Sequence, residues 1–212
     1  MAPRVSSIQK IAALVDPAAI DFRGRTSPEG AVTLLFTDIE GSSEMVERLG
    51  DEAWIEILRA HNALVRAIVP RFDGIEVKAQ GDGFMLAFQS ARMGLRCAIE
   101  IQRALEAYAI EHPEHAPRVR VGVHSGFAIH EDSDFFGLNV ILAARIADRA
   151  RGGELLVSQQ LKEFVQADRE LAFLEGQELA LKGLAGRHTV YPVVWRHSGE
   201  AARSRSSAAP AR

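Results

Sequence analysis

The sequence predicts an α+β domain whose core is a ferredoxin-like βαββαβ unit, with further strands and a helix at its C-terminal end. An apolar, β-favouring run from Val32 to Thr37 is typical of a strand that is covered on both faces. A pair of strands over Ile75 to Phe88 folds back on itself around Gly81-Asp82-Gly83, as a β-hairpin does. Long helical patterns flank this hairpin. We expect the helices to lie on one face of a largely antiparallel sheet.

The domain itself is assigned to residues 31–196, between a leading segment over 1–30 and a tail over 197–212. Ser7 to Val15 carries apolar residues on one side at helical spacing, which predicts a short amphipathic helix. Whether this helix belongs to a regulatory segment or covers one face of the domain is left open. Gly, Pro and charged residues predict a linker after it, and the Ser-, Ala- and Arg-rich tail is expected to be disordered.

The remaining elements follow from periodicity and capping residues. The strand from Val32 leads into a helix that Gly50 divides in two, Ser90 caps the next long helix, and Ser158 caps a short late one. The other predicted elements are a strand over Val119 to Val123 that continues to Ile129, a helix over Leu138 to Ala150, and short strands over Leu155 to Val157, Leu171 to Leu174, Leu179 to Leu181 and Thr189 to Trp195.

Composition sets the broad class of the protein. The 212 residues suit one globular domain with tails, and 47% of them are hydrophobic. The net charge of -3 predicts no nucleic-acid partner, and no apolar run is long enough to cross a bilayer. The single cysteine, Cys97, is expected to be a buried small hydrophobe. These features predict a cytoplasmic protein without a membrane partner.

Asp38 ends the opening strand just where the chain turns through Gly41 into a helix. Ser42 and Ser43 are typical helix N-caps, and the glycine before them lets the backbone approach a ligand closely. The free N–H groups and partial positive charge of a helix N-terminus suit a phosphate. An aspartate beside a phosphate needs a divalent cation between the two anions, so this stretch predicts a metal-assisted phosphate site. The alternative is a turn in which Asp38 serves only as a cap.

A second carboxylate, Asp82, lies at the tip of the hairpin. In a βαββ unit the first strand and the hairpin are neighbours, so Asp38 and Asp82 can meet at one edge of the sheet. Magnesium takes few protein carboxylates and completes its shell with water and substrate phosphates. The pair therefore predicts a divalent-cation site, although Gly81-Asp82-Gly83 by itself also fits a plain turn.

Five segments in order resemble the class III nucleotidyl cyclases, and together they span about Val32 to Trp195. The segments are Phe36-Thr37-Asp38-Ile39-Glu40-Gly41-Ser42, Lys78-Ala79-Gln80-Gly81-Asp82-Gly83-Phe84, Val121-Gly122-Val123-His124-Ser125-Gly126, Asp134-Phe135-Phe136-Gly137 with Ala143-Ala144-Arg145-Ile146, and Leu181-Lys182-Gly183 with Thr189-Val190-Tyr191. Five ordered matches are far more specific than any one of them.

The resemblance implies a class III cyclase catalytic domain of the adenylyl type, which converts ATP to 3′,5′-cyclic AMP and pyrophosphate. By that resemblance, Asp38, Asp82 and the carbonyl of Ile39 bind two Mg²⁺ or Mn²⁺ per active site. Lys78 and Asp134 select the base, because a lysine donor and a carboxylate acceptor match N1 and N6 of adenine and mismatch guanine.

The resemblance also assigns residues to the rest of the substrate. Phe36, Gly41 and Ser42 belong to the first substrate-binding segment, and Ala144 lines the purine pocket. Arg145 stabilises charge on the α-phosphate in the transition state, and Lys182 holds the terminal phosphates.

A homodimer with two shared sites is implied as well, because in this family one subunit supplies the metal ligands and the other supplies the base selectors and the arginine. The chain departs from the family at Ile141, where an asparagine usually stands four residues before the arginine. Asn139 is the nearest asparagine and is assigned a catalytic role in its place. Losing such a donor typically costs about 10²–10³ in rate, which predicts a slow enzyme.

Two other functions remain open at this point. The departure at Ile141 raises the alternative of a slow or non-catalytic nucleotide-binding regulatory dimer. Diguanylate cyclase chemistry is a weaker alternative, because the Gly-Gly-acidic-acidic-Phe signature of that group is absent.

Overall fold

The computed structural model describes residues 6–14, 30–127 and 133–196, without the side chains of 133–136. The predicted linker, the extension of a strand to Ile129 and the tail over 197–212 lie outside the described residues. The described strands are β1 (Ala31–Ile39), β2 (Ile75–Gln80), β3 (Gly83–Phe88), β4 (Val119–Phe127), β5 (Leu155–Ser158), β6 (Ala172–Phe173), β7 (Gln177–Leu179) and β8 (His188–Val194).

The described helices are α1 (Ser7–Leu14), α2 (Ser42–Leu49), α3 (Asp51–Ile68), α4 (Ala91–Glu111), α5 (Ser133–Arg149) and α6 (Gln159–Phe164). Short 3₁₀ turns cover Val69–Phe72 and Pro113–His115. Ser90 and Ser158 cap α4 and α6 as predicted, since their hydroxyls accept the N–H groups of Met93 and Leu161. No helix among the described residues is both long enough and apolar enough to cross a membrane.

The sheet has the strand order β2-β3-β1-β4-β5-β8-β6, and β7 pairs with β8. The three pairings among β2, β3, β1 and β4 are antiparallel. This is the ferredoxin-like order that the sequence predicts. The link from β4 to β5 is parallel and passes through α5. The α+β fold class is therefore confirmed, with β5 to β8 as the added strands.

Helices cover both faces of this sheet, so the expectation of helices on one face is wrong. Every residue of β1 is buried, and alternate residues point to opposite faces. Leu35 and Ile39 pack in a cluster with residues of α3 and α4. Leu34 and Phe36 pack in a second cluster with residues of α1 and α5. We call these the scaffold face and the open face of the sheet.

Helix α5 begins at Ser133 rather than at Leu138, so Asp134 lies in its first turn and not in a loop. Gly137, the residue before the predicted start, lies inside the helix. The helix rests closely on β4 at Gly122, where a Cβ atom would lie 2.2 Å from the backbone nitrogen of Ala147. Gly137 inside α5 costs about 1 kcal/mol relative to alanine. The packing of α5 along β4 compensates for this cost.

Candidate active site

The structure brings Asp38 and Asp82 together, as the sequence predicts. Asp38 is the penultimate residue of β1, and Asp82 lies in the turn between β2 and β3, next to β1 in the sheet. The backbone N–H of Ile39 donates to Oδ2 of Asp82 at 3.3 Å. Both carboxylates are buried, with 3% and 4% of their surface exposed. Two acidic groups from distant parts of the chain thus share one buried site.

Burial and the charge of Asp82 raise the pKa of Asp38 to about 6, against the opposing effect of Arg120. Arg120 lies opposite Asp38 in the β1–β4 pairing, and its Nε donates to Oδ2 of Asp38 at 3.0 Å while Nη2 donates to the same oxygen. The other oxygen, Oδ1, is buried and has no hydrogen-bond partner. A bound cation would stabilise the charged form of this carboxylate.

Three buried polar atoms besides Asp38 Oδ1 also lack a hydrogen-bond partner among the described residues. The described buried side-chain atoms without a hydrogen-bond partner are Thr37 Oγ1, Asp38 Oδ1, His61 Nε2 and Gln80 Oε1. Thr37 adjoins Asp38, Gln80 is two residues before Asp82, and the His61 ring lies 5.8 Å from that of Phe84. Because buried polar groups are normally paired, the unpaired Oδ1 of Asp38 is the atom of this set that directly indicates a ligand at the carboxylate pair.

The oxygen donors at this site fit a hard divalent cation. Magnesium uses one or two carboxylates and takes its remaining ligands from water and phosphate. Among the described residues, no group of three or more His, Cys, Asp or Glu side chains forms a larger metal cage. The free Oδ1 of Asp38 and the adjacent Asp82 carboxylate match this modest requirement.

Arg120 was missed in the sequence. It stands in a strand between Val119 and Val121, and such alternation also fits a solvated side chain. The signal that identifies it is the register, which places it directly opposite Asp38. A guanidinium at this position adds positive charge beside the carboxylates, where a phosphate substrate would need it.

The helix after β1 starts without a side-chain cap. Gly41 is the N-cap residue, in a left-handed conformation with φ +66°, and Ser42 is the first helical residue. The prediction that Ser42 or Ser43 caps this helix is therefore wrong. The left-handed conformation favours glycine, and the first N–H groups of α2 have no partner within the helix and can bind an anion. Phe36, by contrast, is fully buried in the open-face cluster.

Lys78 and Asp134, the predicted base-selecting pair, lie on two different elements, β2 and α5. Lys78 is half-buried on β2, and its Nζ donates to the carbonyl of Leu14 at 3.3 Å. Asp134 lies in the first turn of α5, and its side chain is outside the description.

Arg145 and Lys182, the predicted phosphate-binding cations, lie side by side although 37 residues separate them. Arg145 Nε donates to the Lys182 carbonyl at 2.9 Å, and Nη1 donates to Asp148 Oδ2 at 3.3 Å. Ala144, the predicted purine-pocket residue, is 1% exposed and belongs to the open-face cluster.

The side chain of Asn139 hydrogen-bonds to two residues of β4. Its Oδ1 accepts from Nε2 of His124 at 2.9 Å, and its Nδ2 donates to the carbonyl of Phe127 at 3.2 Å. His124 therefore carries its proton on Nε2, and its Nδ1 accepts from the Ser158 hydroxyl at 2.8 Å. Both polar atoms of Asn139 are used in fixing α5 to β4, which gives no support to a catalytic role. Ile141 is 37% exposed on the same helix.

The sequence model described as the adenylate and guanylate cyclase catalytic domain matches residues 25–194. The chain belongs to this family. A putative adenylate cyclase 3 of Rhizobium meliloti (strain 1021) is 32% identical over 143 residues, which are 67% of this chain and 24% of that protein. An adenylate cyclase of Mycosarcoma maydis is 31% identical over an alignment of 163 positions, which covers 66% of this chain and 6% of that protein. The chain thus spans a quarter or less of these curated relatives.

Solved cyclase structures share the fold. An adenylate cyclase of Trypanosoma brucei, solved in its monomeric state, superposes with a TM-score of 0.64 at 25% identity, over 80% of this chain and 91% of that one. The adenylyl cyclase CyaB of P. aeruginosa gives a TM-score of 0.67 at 19% identity, over 79% of this chain and 95% of that one. The fold in which Asp38, Asp82 and Arg120 converge at one end of β1 is therefore that of known cyclase domains.

Proposed function

We propose that this cyclase domain is an adenylate cyclase, which converts ATP to 3′,5′-cyclic AMP and pyrophosphate at sites shared by two copies of the chain. In this reaction the ribose 3′-oxygen attacks the α-phosphorus and pyrophosphate leaves. The observation that carries the proposal is the buried Asp38–Asp82 pair with a free carboxylate oxygen. The named relatives are adenylate cyclases and do not favour a non-catalytic dimer.

The carboxylates of Asp38 and Asp82, with the carbonyl of Ile39, would hold two Mg²⁺ or Mn²⁺. Bound there, the cations would activate the 3′-hydroxyl and neutralise charge on the phosphates. Arg120 adds a fixed positive charge beside Asp38, and the N–H groups after Gly41 are free to bind the same anion. These groups position the triphosphate and stabilise its developing charge.

The second copy would supply the base-selecting and transition-state residues. Lys78 and Asp134 would hydrogen-bond to adenine, and Ala144 would line its pocket. Arg145 and Lys182, held together in each chain, would contact the phosphates bound by the first copy. Because ATP is a cytoplasmic nucleotide, we expect the domain to work in the cytoplasm.

The test is turnover of ATP with Mn²⁺ by the full chain across protein concentration, with cyclic AMP and pyrophosphate identified by chromatography and mass. We expect activity per copy to rise with protein concentration. Asp38→Asn should lower turnover by at least about 10³-fold, because stabilisation of developing charge usually contributes most to catalysis at such sites. Asp73→Asn is the matched control, since it removes an exposed carboxylate from the turn before β2.

Lys78→Glu in the same assay tests the base. It should lose activity with ATP, because a carboxylate cannot donate to N1 of adenine. Bound ATP without product in the unaltered chain, or undiminished cyclic AMP from Asp38→Asn, would contradict the proposed reaction.

A further inference from the structure

Helix α1 lies on the open face of the sheet, where the proposed site residues are. Ile8 and Ile11 are completely buried, in a cluster that also contains Phe36, Met85 and Ala144. The helix contacts α5, β1, β2 and β3. An isolated helix of eight residues is unstable in water, so α1 is stabilised by these buried contacts rather than by its own hydrogen bonds.

Polar groups at both ends of α1 bind proposed site residues. The hydroxyl of Ser7 donates to Oδ1 of Asp82 at 2.5 Å. At the other end, the carbonyl of Leu14 accepts from Nζ of Lys78 at 3.3 Å. Docked α1 therefore binds the Asp82 oxygen that we propose as a cation ligand, and it binds the Lys78 ammonium group that we propose as a hydrogen-bond donor to the purine.

A third contact reaches helix α5, which carries the residues proposed to serve the second copy. Asp148 accepts from the Ser6 hydroxyl at 3.0 Å and from Nε2 of Gln9 at 2.9 Å. The Oδ2 atom that accepts from Gln9 also accepts from Arg145. Docked α1 thus links the carboxylate site, the base-selecting lysine and the arginine through one short segment.

The fit between α1 and the hairpin is close. A Cβ atom on Gly83 would lie 2.8 Å from Cβ of Ser7 and 3.0 Å from Cδ1 of Ile11. A helix seated this closely leaves no room for a nucleotide or a second chain over the turn that carries Asp82.

We propose that α1 is an autoinhibitory helix that occupies the face on which nucleotide, cations and a second copy of the chain assemble. The inference rests on the proposed function of that face. Ser7 and a cation compete for the same oxygen of Asp82, and the buried side of α1 competes with the second copy. When only a fraction of the chains has α1 released, the apparent affinity for ligand falls by that fraction.

The main test compares two full-length variants that each lower the charge by two. Ile8→Asp with Ile11→Asp places two carboxylates on the buried side of α1. Lys10→Gln with Ala13→Asp makes the same charge change on its exposed side. Calorimetry with Mn²⁺ alone measures the metal site, and sedimentation velocity with Mn²⁺ and 3′-deoxy-ATP measures dimerisation.

The buried-side variant should bind Mn²⁺ about tenfold more tightly and dimerise at about tenfold lower concentration than the unaltered chain. The exposed-side variant should match the unaltered chain. Equal Mn²⁺ affinity and equal dimerisation in all three proteins would overturn the inference.

Hydrogen exchange on the unaltered chain decides the question even if the buried-side variant fails to fold. Amides of α1 should lose protection when Mn²⁺ and 3′-deoxy-ATP are added, whereas those of α4 should keep it. Unchanged protection of α1 in the ligand-bound protein would refute autoinhibition.

Failure of the proposed function gives a different result. If no variant makes cyclic AMP but release of α1 still tightens Mn²⁺ binding, the cyclase reaction fails and the inhibitory contact holds. If cyclic AMP forms equally in all three proteins with equal binding, the contact fails and the reaction holds.

Discussion

The two faces of the central sheet are closed in different ways. On the scaffold face, Leu35 and Leu86 lie under α3 and α4, which have 18 and 21 residues. On the open face, Leu34 and Phe36 lie under the alanine-rich side of α5 and under the eight-residue α1. The long helices belong to the permanent core, whereas the short one covers the carboxylate site. The difference separates the part of the molecule that holds the fold from the part that must open.

Truncation of matched core residues gives the largest expected difference between the faces. Leu86→Ala on the scaffold face should lower the free energy of unfolding by about 2–5 kcal/mol, because it leaves a cavity among fixed neighbours. Ile11→Ala removes an equally buried side chain, but α1 can undock without breaking the sheet. Urea unfolding should therefore show a loss of less than about 1 kcal/mol for Ile11→Ala. Equal losses would mean that α1 is an integral part of the core.

The pH dependence of the free energy of unfolding tests whether the part of the open face that α5 covers stays closed in the folded protein. Burial lowers the pKa of His124 to about 4, with the hydrogen bond to Asn139 opposing the shift and the charge of His188 adding to it. Between pH 6.5 and 4 the unfolded chain binds a proton that the folded chain does not, so this contribution to stability is present above pH 6.5 and is lost as the pH falls.

Urea unfolding at about pH 7 and about pH 4.5 should show that His124 accounts for about 2–3 kcal/mol of lost stability at the lower pH. His124→Gln does not titrate and should lack this part of the pH dependence, whatever its stability at neutral pH. An unchanged pH slope in the variant would show that His124 becomes charged within the folded protein.

Ile141→Asn gives the smallest expected effect and tests the exposed side of α5. It restores the amide that the cyclase family usually places four residues before the arginine, so kcat for cyclic AMP should rise by about tenfold or more. Leu138→Asn is the matched control, because Leu138 is another exposed apolar residue of α5. A rise in both variants would indicate a general effect of a more polar helix surface, and a rise in neither would leave Ile141 outside the site.

Local patterns were enough to predict the ferredoxin-like core. The apolar run of β1 and the alternation in the β2–β3 hairpin depend on near neighbours in sequence, and these strands form as expected. Their adjacency then brings Asp38 and Asp82 together. The convergence of these carboxylates follows from the fold class and needs no detail of packing.

The features that were missed depend on contacts between distant segments. Periodicity predicted the apolar side of α1, but it did not predict that this side packs on the open face of the sheet. The pairing of Arg120 with Asp38 depends on the β1–β4 register, which no local pattern fixes. The start of α5 was predicted at Leu138, yet the helix begins at Ser133 and continues through Gly137. The apolar run of β1 indicated a strand covered on both faces, but no local pattern identified α1 and α5 as the helices that cover the open face.

The absence of a side chain at Gly122 sets how closely α5 packs on β4. Because the backbone of α5 rests on this residue, not even a methyl group fits between the helix and β4. Arg145 lies two residues before this contact at Ala147, so the contact also fixes the position of Arg145. If two copies share a site as proposed, the accuracy with which one protomer packs its own helix becomes the accuracy with which it contacts the other protomer's substrate.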